Sequence, residues 1–359
     1  MIKKHYLEKF KPPEFNLDRR YIYKLNEITN VQWNYVSSGR ASIYHIIKCN
    51  NIKTIYIPVY ICNSVLEPLK KLKVKIYFYD LDLKDLNPSF KSFKELYKKN
   101  PSDAVLVASM YGNPADLLKF EEYCLENNIY MIDDAAQSFG AKLNGRYVGM
   151  FGNAGFFSFS PGKPLAGHLG SFFRMDKDCK IKQKSNYLYH YFKWKYFKNN
   201  RLNIYSTNKL KFIFYEIIHK IMNKFFFKYD DGISNFEIAI LGGILQAHFE
   251  NKWMFRKRFF NKILDLNFKK MRLVKNIRGD NNPHKLVFIV KNQEVKKEFA
   301  KILRRNRIYF INGYKLLDHS LDFKNAKLVD GLIFELPLED DKEKMKFLYK
   351  VIKDFDENY

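Results

Sequence analysis

An α/β fold built on a mainly parallel sheet with helices on both faces is predicted by three observations. Short apolar segments alternate with amphipathic ones between residues 53 and 159, which is the pattern of βαβ units. Polar groups appear where two of the apolar runs stop: Asp133 and Asp134 after Ile129-Tyr130-Met131-Ile132, and Ser160-Pro161-Gly162-Lys163 after 154–159. In an open α/β sheet, ligands collect beyond the carboxyl ends of such strands. With 359 residues, 47% of them hydrophobic, the chain can bury a sizeable core in two lobes. The expected division is a large N-terminal lobe over 1–235 and a smaller α+β lobe over 236–359.

The elements follow in order. Residues 1–34 carry Pro12-Pro13 and mixed charge, and read as an arm packed on the body. A short strand at Tyr35-Val36 then runs through Ser37-Ser38-Gly39-Arg40 into a helix with apolar positions at Ile43, Ile46 and Ile47. Free backbone N–H groups at such a helix start suit a phosphate; capping of the helix by Ser38 accounts for the same residues. Strands are expected at 53–58, 74–79, 104–109, 129–132 and 154–159, with helices at 62–72 and 117–127. The stretch 180–230 is dense in Lys, Tyr and Phe, with amphipathic helical character at 209–227. It reads as a helical insertion covering the core, with its lysines in solvent; an interface with a membrane or an acidic partner is the other reading. One long helix from 238 to 260 is expected to bridge the lobes. A strand at 284–290, a helix at 293–306, strands at 308–311 and 332–336, and a helix at 340–354 complete the small lobe.

Composition excludes several classes. No apolar run approaches the roughly 18 residues of a membrane span, and the first residues, MIKKHYLEKF, lack the apolar core of a signal peptide. A cytoplasmic protein is expected. Cys49, Cys62, Cys124 and Cys179 are scattered without paired metal spacing and read as ordinary thiols, with no metal expected. The net charge of +25 comes from lysines in every segment, and no nucleic-acid motif accompanies it. A general basic surface that favours small anionic substrates is the reading adopted.

The chemistry concentrates in residues 132–170. Lys163 follows Gly162 at the end of an apolar strand, where desolvation lowers an amine's pKa. A neutral amine condenses with an aldehyde to a Schiff base. Asp134, at the end of a neighbouring strand, can pair with a protonated pyridine nitrogen and so keep pyridoxal 5'-phosphate (PLP) an electron sink. Gln137 can hydrogen-bond the ring, and Ser158 with the Ser38-Gly39 turn can hold the phosphate. Singly, Lys163 also fits a solvated loop lysine and Asp134 a helix cap; it is their coincidence at strand ends that points to a site.

These residues fall in motifs that resemble the DegT/DnrJ/StrS family of sugar aminotransferases. Ser109-Met110-Tyr111-Gly112-Asn113-Pro114-Ala115-Asp116 is similar to the family's H-x-Y-G-x-x-A-D segment. Ile132-Asp133-Asp134-Ala135-Ala136-Gln137-Ser138 is similar to I-E-D-A-A-Q-A, and Ser158-Phe159-Ser160-Pro161-Gly162-Lys163 to S-F-x-x-x-K. Leu336-Pro337-Leu338 resembles the C-terminal L-P-L. The resemblance runs from about Ser37 to the C-terminus and implies a type I aspartate-aminotransferase-like fold with PLP as cofactor. It implies Lys163 as the residue that binds the cofactor and shuttles the proton, Asp134 at the pyridinium nitrogen and Gln137 at the ring. Ser158, Gly39 and Arg40 would hold the phosphate. It further implies a homodimer with sites at the interface. The reaction would carry an amino group from glutamate to a nucleotide-linked keto sugar for surface polysaccharide or glycoconjugate synthesis.

Four departures accompany the resemblance. Gly39-Arg40 stands where the family has Gly-Thr, and Cys62, with Tyr60 two residues away, stands where an aromatic ring covers the cofactor. Gly167-His168-Leu169-Gly170 replaces an acidic Gly-Gly turn, with His168 read as a solvent-facing turn residue rather than a proton-transfer group. The asparagine that reaches the neighbouring subunit's phosphate has no clear counterpart. A non-catalytic or weakly active member that binds a nucleotide sugar, and a PLP-dependent deoxysugar dehydratase, therefore stand as alternatives. In the dehydratase branch a histidine takes the place of the lysine, so Lys163 speaks for the aminotransferase.

Overall fold

The computed structural model of the protein describes residues 18–160, 162–165, 170–177, 179, 181, 217, 218, 221, 229, 232, 233, 235–250, 253–320 and 322–358. Nine strands precede residue 180: β1 (Asn34–Val36), β2 (Thr54–Pro58), β3 (Lys75–Tyr79), β4 (Ala104–Ala108), β5 (Tyr130–Asp134), β6 (Lys142–Leu143), β7 (Arg146–Tyr147), β8 (Ala154–Ser158) and β9 (Ser171–Met175). Seven of them form one sheet in the order β1-β9-β8-β5-β4-β2-β3, and β6 and β7 pair separately. The pairs from β3 through β8 are parallel, while β9 on β8 and β1 on β9 are antiparallel. Helices α1 (Arg20–Thr29), α2 (Gly39–Cys49), α3 (Leu66–Lys71), α4 (Phe90–Lys99) and α5 (Leu117–Glu126) accompany it.

The inner strands of the sheet are buried on both faces and so are mainly apolar; every residue of β4, AVLVA, is buried. Alternation along each strand divides the residues between two cores. Ile55, Ile57, Leu106 and Ile132 enter one, and Tyr56, Val105, Val107 and Met131 the other. The buried tyrosines keep their hydroxyls bonded: Tyr79 donates to the Leu106 carbonyl at 2.8 Å and Tyr56 to the Leu96 carbonyl at 2.9 Å.

Gly155 shows how closely the backbone is drawn in beneath β8. A Cβ there would stand 2.1 Å from the Gly149 carbonyl oxygen, a backbone atom that cannot swing aside. Gly155→Ala is therefore expected to cost about 2–3 kcal/mol, the scale of overpacking in a filled core. Urea unfolding of the variant checks this through a lowered midpoint at unchanged slope.

The small sheet is antiparallel throughout, in the order β10 (Met271–Leu273), β11 (Lys285–Val290), β13 (Ile333–Pro337), β12 (Ile311–Asn312). Helices α6 (Asn235–Phe249), α7 (Met254–Leu264), α8 (Gln293–Arg305), α9 (Lys324–Val329) and α10 (Lys342–Asn358) complete the fold. Phe288, Phe299, Phe334 and Leu348 centre its core, where the Phe299 and Phe355 rings stack with centroids 4.5 Å apart.

Several expectations change. The bridging helix is two helices, α6 and α7. Ile238, Leu241 and Leu245 of α6 join the large sheet's core, while Phe259, Phe260 and Ile263 of α7 join the small one. Leu245 stands eighteen residues before Ile263, five whole turns at 3.6 residues each, so apolar phase runs on across the break and periodicity does not reveal it. The strand expected at 308–311 is found at Ile311–Asn312, and α4 and β9 had no counterpart among the expected elements. The N-terminal arm, from residue 18 on, contains α1; its Asp18 N–H donates to the Ala239 carbonyl of α6 at 3.2 Å. Cys49 and Cys179 are joined as a disulfide, S–S 2.01 Å, with His45 Nδ1 3.9 Å from Cys179 Sγ, which corrects the reading of four separate thiols. Most of the insertion at 180–230, all of 1–17, and Gly167, His168 and Leu169 lie outside the described residues. Among those described, no helix is long and apolar enough to cross a membrane.

Candidate active site

Strand alternation decides what the two consecutive carboxylates at the end of β5 do. Asp133 turns under the sheet, where its Oδ2 accepts from the N–H groups of Gly149 at 2.5 Å and Phe151 at 3.1 Å. Burial pushes its carboxyl up to about 7, and these two N–H donors oppose the rise. Asp133 thus anchors the loop that enters β8. Asp134 points the other way, into a cleft of about 300 Å3 at the carboxyl ends of the parallel strands.

All seven residues singled out by the sequence line this cleft: Ser38, Gly39, Arg40, Asp134, Gln137, Ser158 and Lys163. Asp134 is buried, and its Oδ1 accepts from the Ala136 N–H at 2.9 Å, so it also caps the turn after β5. Burial pushes its carboxyl up to about 6, against the pull of the Lys163 charge. Gln137 is buried, with Nε2 3.5 Å from Met110 Sδ and with Oε1 lacking a partner among the described residues.

Lys163 sits half-buried in a turn after β8, next to Gly162 at φ +82°, a backbone region that glycine enters without strain. Its amine is held below the ordinary lysine range first by burial. The nearby Lys285 charge acts in the same direction, while Cys62, Asp134 and Glu335 oppose it. Lys163 and Asp134 thus share a cleft and feel one another's charge.

The start of α2 forms one wall. Ser38 caps it, accepting from the Ala41 N–H at 3.3 Å, so both readings of this turn coexist: a capped helix whose N-terminus opens on the cleft. Gly39 stands close to β8, since a Cβ there would meet Ser158 Cβ and Phe156 Cε2 at 3.4 Å. Ser158 and Ser160 share a hydroxyl contact of 3.3 Å. Arg40 donates to the Glu67 carboxylate, so an incoming phosphate would meet a guanidinium already engaged.

The sequence missed the wall supplied by the small sheet, where Lys285, Ile311 and Tyr314 line the cleft. No local signal marks them, because they reach the site only when the small sheet folds over the large one. Cys62 lines the cleft, at the position where the resemblance expects an aromatic ring. Tyr60 does not; it is buried behind, its hydroxyl 2.6 Å from that of Tyr111.

The cleft fits PLP on its own features. A buried carboxylate can hold a ring proton, an unpartnered amide oxygen can accept a further bond, an amine with lowered pKa can take an aldehyde carbon, and a serine-lined helix start can accept a phosphate. A large, mainly parallel sheet, a smaller antiparallel one and this donor set define the type I fold of PLP-dependent aminotransferases.

The chain belongs to the DegT/DnrJ/EryC1/StrS aminotransferase family, whose model matches residues 44–328. The aminotransferases of this family use PLP. GDP-perosamine synthase of Escherichia coli O157:H7 is 26% identical over 154 residues, which is 42% of either chain. GDP-4-keto-6-deoxy-D-mannose 3-dehydratase of Yersinia pseudotuberculosis is 28% identical over 104 residues, 29% of this chain and 26% of that one. These matches span less than half of the relatives' own length. A DegT DnrJ EryC1 StrS aminotransferase from Brucella abortus has the same fold, with a TM-score of 0.70, 16% identity, and coverage of 96% of this chain and 92% of that one.

Proposed function

We propose that the protein is a PLP-dependent aminotransferase that moves an amino group from an amino acid, glutamate for preference, to a nucleotide-linked keto sugar. The observation that carries this reading is the shared cleft of Lys163 and Asp134. Lys163 would hold the cofactor covalently and, with its lowered pKa, take and return the proton at the substrate carbon. Asp134 would keep a proton on the ring nitrogen, and Gln137 Oε1 would accept from the ring's substituents. Ser38, Gly39, Ser158 and Arg40 would bind the phosphate, with Glu67 releasing or sharing Arg40. When bound, PLP supplies the electron sink that makes the substrate carbon acidic.

The same reading includes a homodimer in the cytoplasm that serves surface polysaccharide or glycoconjugate synthesis. The net charge of +25 suits a diphosphate-bearing substrate. In a reducing cytoplasm the Cys49–Cys179 bond would be open. The relative from Yersinia pseudotuberculosis, named as a dehydratase, keeps that second activity in view; Lys163 favours the aminotransferase, because that branch resembles a histidine variant of this position.

Protein mixed with PLP is expected to turn yellow, and added glutamate is expected to bleach the visible band as the amine form of the cofactor accumulates. A panel of nucleotide keto sugars should then restore the band, and the sugar that does so names the substrate. A protein that stays colourless with PLP overturns the reading in favour of a non-catalytic nucleotide-sugar binder. Loss of water from a 4-keto-6-deoxy sugar without net amination would identify a dehydratase.

A further inference from the structure

Behind the cleft, a chain of buried polar side chains joins the two sheets. Glu335 of β13 is 2% exposed, and both of its carboxylate oxygens are taken. Lys285 Nζ donates to Oε2 at 2.6 Å, and Tyr111 Oη donates to Oε1 at 2.9 Å. The Tyr60 hydroxyl lies 2.6 Å from that of Tyr111 and extends the chain back toward the end of β2. Register explains the ion pair. Glu335 stands opposite Val287, and Lys285 lies two residues from Val287 on the same face, so the two charges are diagonal neighbours across adjacent strands. Tyr111 is held at φ +59° to bring its ring to this point. Gly112 follows it at φ +89°, pressed against the Asn282 carbonyl oxygen, which a Cβ there would approach to 2.1 Å. So much arrangement around a largely buried ion pair is more than the packing of two inner strands needs, since replacing such a pair by apolar residues is often neutral for stability.

We propose that Lys285 and Glu335 form a positioning pair that tunes the charge on the Lys163 amine, with Tyr111 holding Glu335 in place. The proposal rests on the reading of Lys163 as the cofactor lysine. Lys285 and Lys163 line the same cleft, and the titratable groups that act on Lys163 come from four places in the fold. Asp134 ends β5, Cys62 follows β2, Lys285 starts β11 and Glu335 lies in β13. Buried His284, just before β11, is kept uncharged by desolvation with the Lys285, Arg256 and Lys163 charges around it. Lys285 repels a proton on Lys163 and Glu335 attracts one, so each offsets the other. A neighbouring cation is an established way of keeping a reactive lysine neutral. The carboxylate keeps that effect within bounds and holds the cation in place.

The two members of the pair should therefore act on Lys163 with opposite signs, which a purely structural role does not produce. The test is competitive acetylation of the full chain without cofactor, with acetic anhydride as the probe, reading the labelling of Lys163 by mass spectrometry across a pH series. In Lys285→Gln the labelling midpoint of Lys163 is expected to rise by about one pH unit, and in Glu335→Gln to fall by about one. Lys285→Arg keeps the cation and should stay near the parent. Shifts of the same sign, or no shift in proteins whose circular dichroism matches the parent, overturn the proposal. If Glu335→Gln does not fold, Lys285→Gln decides alone: a rise supports the pair and an unmoved midpoint removes it. The measurement needs no PLP, so failure of the cofactor reading would show separately, as a colourless protein whose Lys163 midpoint still responds to Lys285.

Discussion

Lys163→Ala is expected to lose the covalent cofactor adduct completely and to lower aminotransfer by at least about a thousandfold. A positioned acid–base group by itself supplies on the order of 10² to 10⁴ in rate, and here covalent attachment is lost as well. The side chain is half-buried in a turn whose glycine already sits in a relaxed conformation, so little packing goes with it. Stability should stay within about 1 kcal/mol of the parent. Three measurements bear on this. The visible band formed with PLP should be missing, borohydride should leave the variant's mass unchanged, and its unfolding midpoint should match the parent's. A variant that still fixes PLP under borohydride would move the reactive amine elsewhere, with Lys285 as the nearest candidate in the same cleft.

Asp134→Asn should separate activity from stability. Activity is expected to fall by about two to three orders of magnitude, the scale seen when one aligned polar group is removed from a reacting centre. Stability without cofactor should move the other way. Burial raises the Asp134 carboxyl to about 6, well above the ordinary 3.8. A carboxyl whose folded pKa is raised contributes stability that is fully present below its unfolded pKa and is lost as pH rises through the folded value. Above about pH 7 the folded protein therefore carries a buried, ionised Asp134 at a cost of about 3 kcal/mol. Asparagine cannot ionise and can still accept from the Ala136 N–H that Asp134 now bonds. The variant should thus be more stable than the parent near pH 8, with the difference fading below about pH 4. Asp133 is raised in the same direction to about 7, in part by the Asp134 charge, so the substitution also eases Asp133 and adds to the variant's advantage near pH 8. Urea unfolding at the two pH values measures the effect. An asparagine variant that is less stable near pH 8 and retains activity would mean that Asp134 is a turn cap and no more. A neutral-pH destabilisation removed by the very substitution that stops turnover is the mark of a group placed for function.

Much of this architecture is written in local patterns. The parallel strands announce themselves because a strand buried on both faces must be apolar along its whole length, as in β4. The polar residues that close β5 and follow β8 are conspicuous for the same reason: a hydrophobic run ends and Asp134 or Lys163 comes within a few residues. Elements without such a signature were harder to read. Helix α4 buries only Phe93 among its residues. The division between α6 and α7 keeps its apolar phase, so a periodicity argument sees one helix where the chain makes two, each serving a different core.

By itself the sequence determined the sheet type, the strand ends and the short list of groups that can do chemistry there, because these depend on the burial pattern of neighbouring residues. Only the tertiary structure decided which groups meet. It turned Asp133 under the sheet and Asp134 into the cleft, engaged Arg40 with Glu67, joined Cys49 to Cys179, and brought Lys285 and Glu335 up beside Lys163. Each of these joins residues across a turn of the pleat or across distant parts of the chain. Such contacts depend on where whole sheets come to rest, and no stretch of sequence carries that information locally.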